Sequence, residues 1–318
     1  MKRVVGLLAF VFLLNGCDDG NVIFEEIAFA NPEVKSCSTN NIFYKLKEKE
    51  ALLLEMDKTE LPSEPTLTDA PKIIDISGAT RVVYRFYNGT VALDNICETI
   101  QPPTPVVTDQ WTATAGKIEI TTTAKKTTNT TDNSTKITGY NHHIEFQNIT
   151  FSKSSGPQKY INFPFGDYST TATPLPFAFD KTVEKCSSSN LIYNYTGSEA
   201  LTLIIDPALI ANTVTPQNAP RIGLIGAITN KLSYRLYSGI PTTDYFCSEP
   251  TPATPAISQE WNALAGVSNE SGIVEVTTTT NGTGFKHTIV LKKVTFKRGN
   301  NDFKLGDNYL YGELLTTN

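Results

Sequence analysis

Histidines, carboxylates and a few arginine–aromatic pairs are the side chains of this 318-residue chain that could do chemistry. His142 and His287 stand in matching contexts, each two residues after an aromatic (Tyr140, Phe285) and two before an isoleucine (Ile144, Ile289). A histidine acts as general base or metal ligand only where partners converge on it. Residues two apart share one face of a strand, so both imidazoles fall on an apolar face with no partner identifiable from spacing. The expectation is a hydrogen-bonded core histidine in each place, with a metal or catalytic role as the alternative. Glu119, between Ile118 and Ile120, and Glu275, between Val274 and Val276, take the outward parity. Two lone carboxylates far apart in sequence do not make a glycosidase pair. The chain has no Gly-x-Ser-x-Gly elbow, His-Glu-x-x-His helix or phosphate-cradling glycine loop. No enzyme activity, cofactor or metal is therefore expected.

Three further pairs are candidates for binding. Arg85 shares a strand face with Tyr87, and Arg235 with Tyr237, which makes either a recognition patch or a cross-strand stack or salt bridge. Trp111 and Trp261 stand at strand entrances, either as exposed platforms for stacking on a sugar or as plugs of a core.

These residues come in twos because the chain repeats itself. Cys186 to Tyr193 (CSSSNLIY) answers Cys37 to Tyr44 (CSTNNIFY), and Glu199-Ala200-Leu201 answers Glu50-Ala51-Leu52. Tyr234-Arg235-Leu236-Tyr237 with Gly239 repeats Tyr84-Arg85-Phe86-Tyr87 with Gly89, each glycine standing the same distance before a second cysteine. Pro105 and Trp111 match Pro255 and Trp261 in the same way. The period of about 150 residues is domain-sized, far beyond the roughly 20 to 50 residues of solenoid repeats. Two homologous tandem domains are expected, at 27–169 and 177–318, with a Thr- and Pro-rich linker at 170–176.

Short β-branched or aromatic runs separated by Asn, Gly, Pro and Thr read as strands. In the first copy they cover 42–46, 51–56, 82–87, 118–123 and 142–151, and in the second 191–195, 201–205, 232–237, 273–279 and 287–296. The fold class is all-β, a β-sandwich in each copy. The proline-rich stretches 101–109 and 249–258 are expected to carry the chain from one sheet to the other.

Two cysteines fall in each copy, Cys37 and Cys97, then Cys186 and Cys247. Four cysteines allow three connectivities, and duplication favours one disulfide within each copy. Zinc lacks a Cys-x-x-Cys pair or nearby histidines.

At the N-terminus, Lys2 and Arg3 precede an apolar run at 4–14, too short for an ordinary membrane-spanning helix, followed by Leu14-Asn15-Gly16-Cys17. This ending resembles the lipobox of bacterial lipoproteins, with Asn15 off the commonest pattern. The resemblance covers the first twenty residues. It implies removal of 1–16, lipid on Cys17, a tether at 17–26 and an anchor strengthened by two or more acyl chains. Asp18 and Asp19 look like the surface-export signal of Bacteroidota lipoproteins, whereas in enterobacterial lipoproteins Asp there implies inner-membrane retention. Loss of Lys2 and Arg3 takes 27 cations against 32 anions to 25 against 32, a net charge of −7. Nucleic acid is not an expected partner, since Lys125-Lys126 and Lys292-Lys293 are isolated pairs and no basic cluster is present. The reading is an envelope lipoprotein anchored to a membrane, with the bacterial outer membrane favoured and either leaflet open. Its tandem sandwiches serve a structural role or bind a protein or glycan, with carbohydrate binding as the alternative.

Overall fold

A computed structural model of the chain describes residues 27–29 and 32–317. Cys17 and the segments around it lie outside the described residues. The fold is all-β, with nineteen strands among the described residues. The first half of the chain holds β1 (Lys35–Ser36), β2 (Ile42–Lys47), β3 (Glu50–Glu55), β4 (Lys72–Asp75), β5 (Arg81–Tyr87), β6 (Val107–Thr128), β7 (Thr135–Ser152) and β8 (Gln158–Thr171). In the second half come β9 (Glu184–Lys185), β10 (Leu191–Thr196), β11 (Glu199–Ile204), β12 (Arg221–Leu224), β13 (Lys231–Tyr237), β14 (Ile257–Ala263), β15 (Ile273–Asn281), β16 (Gly284–Lys292), β17 (Thr295–Arg298), β18 (Asn301–Lys304) and β19 (Tyr309–Thr316). One helical turn in each half, α1 (Asp94–Cys97) and α2 (Thr243–Cys247), ends at a cysteine.

The first half forms one continuous sheet, in the order β1-β2-β3-β5-β6-β7-β8, with β4 also on β6. Strand β6 pairs with β5 through 107–112 and with β4 through 117–120. Between those stretches its register against β7 shifts at Ala113/Ala115 and Ala115/Lys117. Small residues and a bulge permit a sharp bend there. Gly116 has φ +131°, and a Cβ at this position would stand 2.8 Å from the Ile149 Cα, so only glycine fits. The bend folds the sheet back on itself, and Phe43, Leu54 and Tyr84 on one side meet Ile118, Phe146 and Phe165 on the other in one core.

In the second half the corresponding strands are interrupted, leaving two sheets, β18-β17-β14-β13-β11-β10-β9 and β12-β15-β16-β19. Their apolar faces meet in one core through Leu203, Tyr234, Val276 and Ile289. The stretch read as one strand at 287–296 is therefore two, β16 and β17, in different sheets. Strand β8 runs to Thr171, two residues past the expected domain end.

Two disulfides are present, Cys37–Cys97 and Cys186–Cys247, closing sequence separations of 60 and 61. Each holds a helical turn against the sheet face opposite the main core, over a smaller cluster that includes Tyr44, Tyr87 and Ile96 in the first half and Tyr193, Tyr237 and Phe246 in the second. The proline-rich stretches correct an expectation. They lead from α1 to β6 and from α2 to β14, strands that pair directly with β5 and β13. The chain thus returns to a neighbouring place in the same sheet, because the disulfide-bonded turn needs a connection over its own face.

Disulfides persist in oxidising compartments, so the protein fits an extracellular or periplasmic location. Among the described residues no helix is long and apolar enough to cross a membrane.

Candidate functional site

The paired histidines are fully buried, both at 0% exposure. His142 Nδ1 meets Thr122 Oγ1 at 3.0 Å and its Nε2 meets Thr170 Oγ1 at 2.9 Å. His287 repeats the arrangement with Thr278 at 2.8 Å and Thr316 at 3.0 Å. A further threonine backs each network. Thr66 accepts the Thr122 backbone N–H and donates its own to Thr122 O, and Thr215 does the same with Thr278. In the second half the direction of every bond follows. Thr316 spends its hydroxyl proton on Asn212 Oδ1 at 2.7 Å, so His287 must donate from Nε2 and accept at Nδ1. Thr278 then donates to the ring while accepting from Arg221 at 2.7 Å. Burial lowers the His142 pKa to about 4, and burial followed by the Arg221 charge lowers that of His287. Both rings are neutral braces between strands, each committed to threonine hydroxyls at both nitrogens.

Strand register pairs Arg85 with Gln110 and Arg235 with Glu260, and the side chains meet. Arg85 Nε donates to Gln110 Oε1 at 2.8 Å, and Arg235 forms a 2.7 Å ion pair with Glu260. Tyr87 and Tyr237 are each 5% exposed. An exposed Arg–Tyr patch is thus corrected, because α1 and α2 with their disulfides cover that face. Trp111 and Trp261 are 2% and 4% exposed and pack in the main cores. Neither offers an exposed face, and no aromatic is among the strongly exposed large apolar side chains of the described residues. Glu119 sits half-buried on the outward parity, and Glu275 pairs with Lys292 at 2.7 Å. Among the described residues no group of His, Cys, Asp or Glu side chains could hold a metal.

A different place gathers polar and apolar groups around open space, a cleft of about 720 Å³ between the two halves. That volume falls within the roughly 300 to 1,000 Å³ of small-molecule sites. The hairpin β6–β7 builds one wall. Thr122 and His142 lie 20 residues apart across this hairpin, whereas Thr278 and His287 lie 9 apart across its counterpart. The extra length carries the hairpin tip onto the second half. There Lys126 pairs with Asp302 at 2.7 Å, Asn133 donates to Asp307 at 2.7 Å, Thr135 accepts the Lys304 backbone N–H at 2.8 Å, and Tyr140 donates to Asn301 at 3.2 Å.

The opposite wall comes from β14, the β17–β18 hairpin and the segment after β8. Phe177 has φ +51°, a left-handed conformation that strains a large side chain. Glu199 holds it there. This carboxylate, 3% exposed, accepts the backbone N–H of Phe177 at 3.1 Å, that of Ala178 at 3.0 Å and the Tyr234 hydroxyl at 2.7 Å. The Phe177 ring thereby stacks on Tyr234 at 4.2 Å and lines the cleft beside Phe303 and Tyr309. Burial, then the Glu199 charge, pushes the Tyr309 pKa up to about 12, so its phenol stays protonated.

Arg298 lies over the buried Trp261 ring at 5.3 Å and also faces the cleft. In the first half Lys153 lies over Trp111 at 4.7 Å and donates to Gln158, the first residue of β8, at 2.8 Å. Asn301 opens β18, but its side-chain carbonyl accepts from Tyr140 of the other half. Arg298 has no carboxylate within ion-pairing distance among the described residues.

None of the cleft residues except Trp261 stood out in the sequence. Their signal is the unequal spacing between threonine and histidine in the two copies, visible only when the copies are aligned through the histidines. Comparison of the chain with family models, with curated proteins and with solved structures finds no match.

Proposed function

We propose that this protein is an exported, lipid-anchored binding protein of the bacterial envelope, the outer membrane being the favoured site, and that it does not catalyse a reaction. Its two halves are homologous tandem domains of sandwich type. That reading is supported by features shared by the two halves: a disulfide over one sheet face, a Thr–His–Thr bridge, a cation over a buried tryptophan, and the bonds of Tyr84 to Glu50 and Tyr234 to Glu199, each glutamate opening the neighbouring strand. The lipobox at Cys17 supports the anchor. Against catalysis stands the separation of the titratable groups, with His142 and His287 buried in threonine networks, His143 exposed on the opposite parity against Asp167, and Arg85 and Arg235 tied across strands.

The observation that carries the binding reading is the cleft of about 720 Å³ between the halves. A longer hairpin in one copy converts two similar units into a single receptacle, whose ligand would be held clear of the membrane by the tether. The test is a thermal-shift screen of small organic acids and glycans on the mature chain, run beside Leu175→Trp, which fills the cleft. A compound that raises the melting temperature of the wild type and not of the filled variant supports the reading. Compounds that act equally on both contradict it.

A further inference from the structure

The cleft contains more than space. Three cations line it, Lys136, Arg298 and Lys304, and none has an ion-pair partner among the described residues. The single acidic residue in the lining, Asp132, accepts the Ser134 backbone N–H at 2.9 Å. Nearby Glu64 accepts the Asn300 N–H at 3.2 Å, and Glu199 behind the aromatic wall is committed to three donors. The negative groups around the cleft are therefore already hydrogen-bonded, while of the three cations only Lys136 has a carboxylate among the described residues, Asp132, close enough to feel its charge, beyond ion-pair distance.

Ile137, Leu175, Phe177, Phe303, Leu305 and Tyr309 form an apolar part of the wall, and uncharged polar side chains such as Thr135, Gln259 and Asn301 line the rest. Cations beside an apolar pocket suit one class of molecule. Resting on the reading of the cleft as a ligand site, we propose that it takes an amphiphilic organic anion, an apolar or aromatic body with a carboxylate, sulfonate or phosphate head. The body lies against Phe177, Leu175 and Tyr309, and the head meets Arg298 and the two lysines. Arg298 is the most constrained of the three, since it lies over the Trp261 ring at 5.3 Å while lining the cleft, and a guanidinium suits an oxyanion head. A neutral sugar fits less well. It could lie on Phe177 and Tyr309 but would leave Lys136, Arg298 and Lys304 without a charge to meet.

Two fluorescent probes that differ only in charge test this, anilinonaphthalene sulfonate and its neutral parent N-phenylnaphthylamine. Both are titrated into the mature chain carrying Cys17→Ser, and into the same chain with Arg298→Gln or Lys304→Gln. Wild type is expected to bind one sulfonate at least about tenfold tighter than the neutral probe, with the preference shrinking as salt rises. Each Gln variant should lose about five- to tenfold in sulfonate affinity and keep its affinity for the neutral probe. Lys304 is exposed, so its loss leaves folding intact, and equal melting temperatures verify this for both variants. Equal wild-type affinity for the two probes, or Gln variants that bind sulfonate as wild type does, overturns the anion assignment and leaves the cleft reading in place. If neither probe binds, both are overturned.

Discussion

Lowering the pH should weaken this fold through its histidines, and the size of the effect follows from their burial. In the native protein the His142 pKa is lowered to about 4 by burial, against an ordinary 6.5. The unfolded chain therefore binds the proton more readily than the folded one. The contribution of neutral His142 is fully present above pH 6.5, declines as pH falls from 6.5 toward 4, and is exhausted below that. At about 1.4 kcal/mol per pH unit, the whole swing is at most about 3.5 kcal/mol. His287 is lowered in the same sense, by burial first and by Arg221 second, so it adds to the slope. The assay is urea unfolding at steps between pH 7 and 4, followed by tryptophan fluorescence, since Trp111 and Trp261 are buried one in each half. Carboxylates titrate in the same range, so the diagnostic quantity is the difference between wild type and His142→Gln. That variant should be less stable at pH 7 by roughly 1 to 3 kcal/mol, because two threonine hydroxyls lose a bridging partner. The gap should close as pH falls. Parallel curves for the two proteins would refute the assignment of a neutral, buried bridge.

Replacing Cys17 with Ser should abolish incorporation of labelled fatty acid and release the protein from membranes, and label that persists would show the lipobox reading to be wrong. Non-reducing peptide mapping should recover Cys37 joined to Cys97 and Cys186 joined to Cys247. Reduction should cost up to about 4 kcal/mol per loop in the chain-entropy model, read from unfolding with and without reductant. Glu199→Gln weakens three hydrogen bonds at a buried carboxylate and lets Phe177 leave its strained conformation. A loss of roughly 1 to 3 kcal/mol is expected, and an unchanged melting temperature would count against Glu199 as the brace of that wall. Lys126→Ala removes a partly exposed ion pair between the halves and should cost less than about 1 kcal/mol.

Much of this architecture is legible from residue types alone, because alternation and burial act locally. Ile144 and His142, two apart, share a buried face as the period of a strand requires. The strand runs at 42–46 and 82–87 fall within β2 and β5, and the within-copy cysteine pairs are both closed. What local rules miss is set by tertiary context. The stretch 124–141, rich in Thr, Lys and Asn, falls outside the strand runs at 118–123 and 142–151, yet β6 continues to Thr128 and β7 begins at Thr135, since pairing along the hairpin and docking on the second half outweigh local preference. Tyr87 and Tyr237 take the outward parity and are nevertheless buried, because a disulfide-held turn covers that face, which alternation within one strand does not reveal. Thr66 and Thr215 carry no signal of their own. Their role depends on loops that meet the histidine strands across 56 and 63 residues of sequence.

The central claim is that the space between the halves is where this protein meets its ligand. Hydrogen–deuterium exchange of the mature chain, with and without saturating anilinonaphthalene sulfonate, tests it most directly. Protection is predicted at residues 127–136, 172–177 and 298–305, with the disulfide-capped faces around Tyr87 and Tyr237 unchanged. Protection confined to those capped faces or to other surfaces, or none at all, would contradict it.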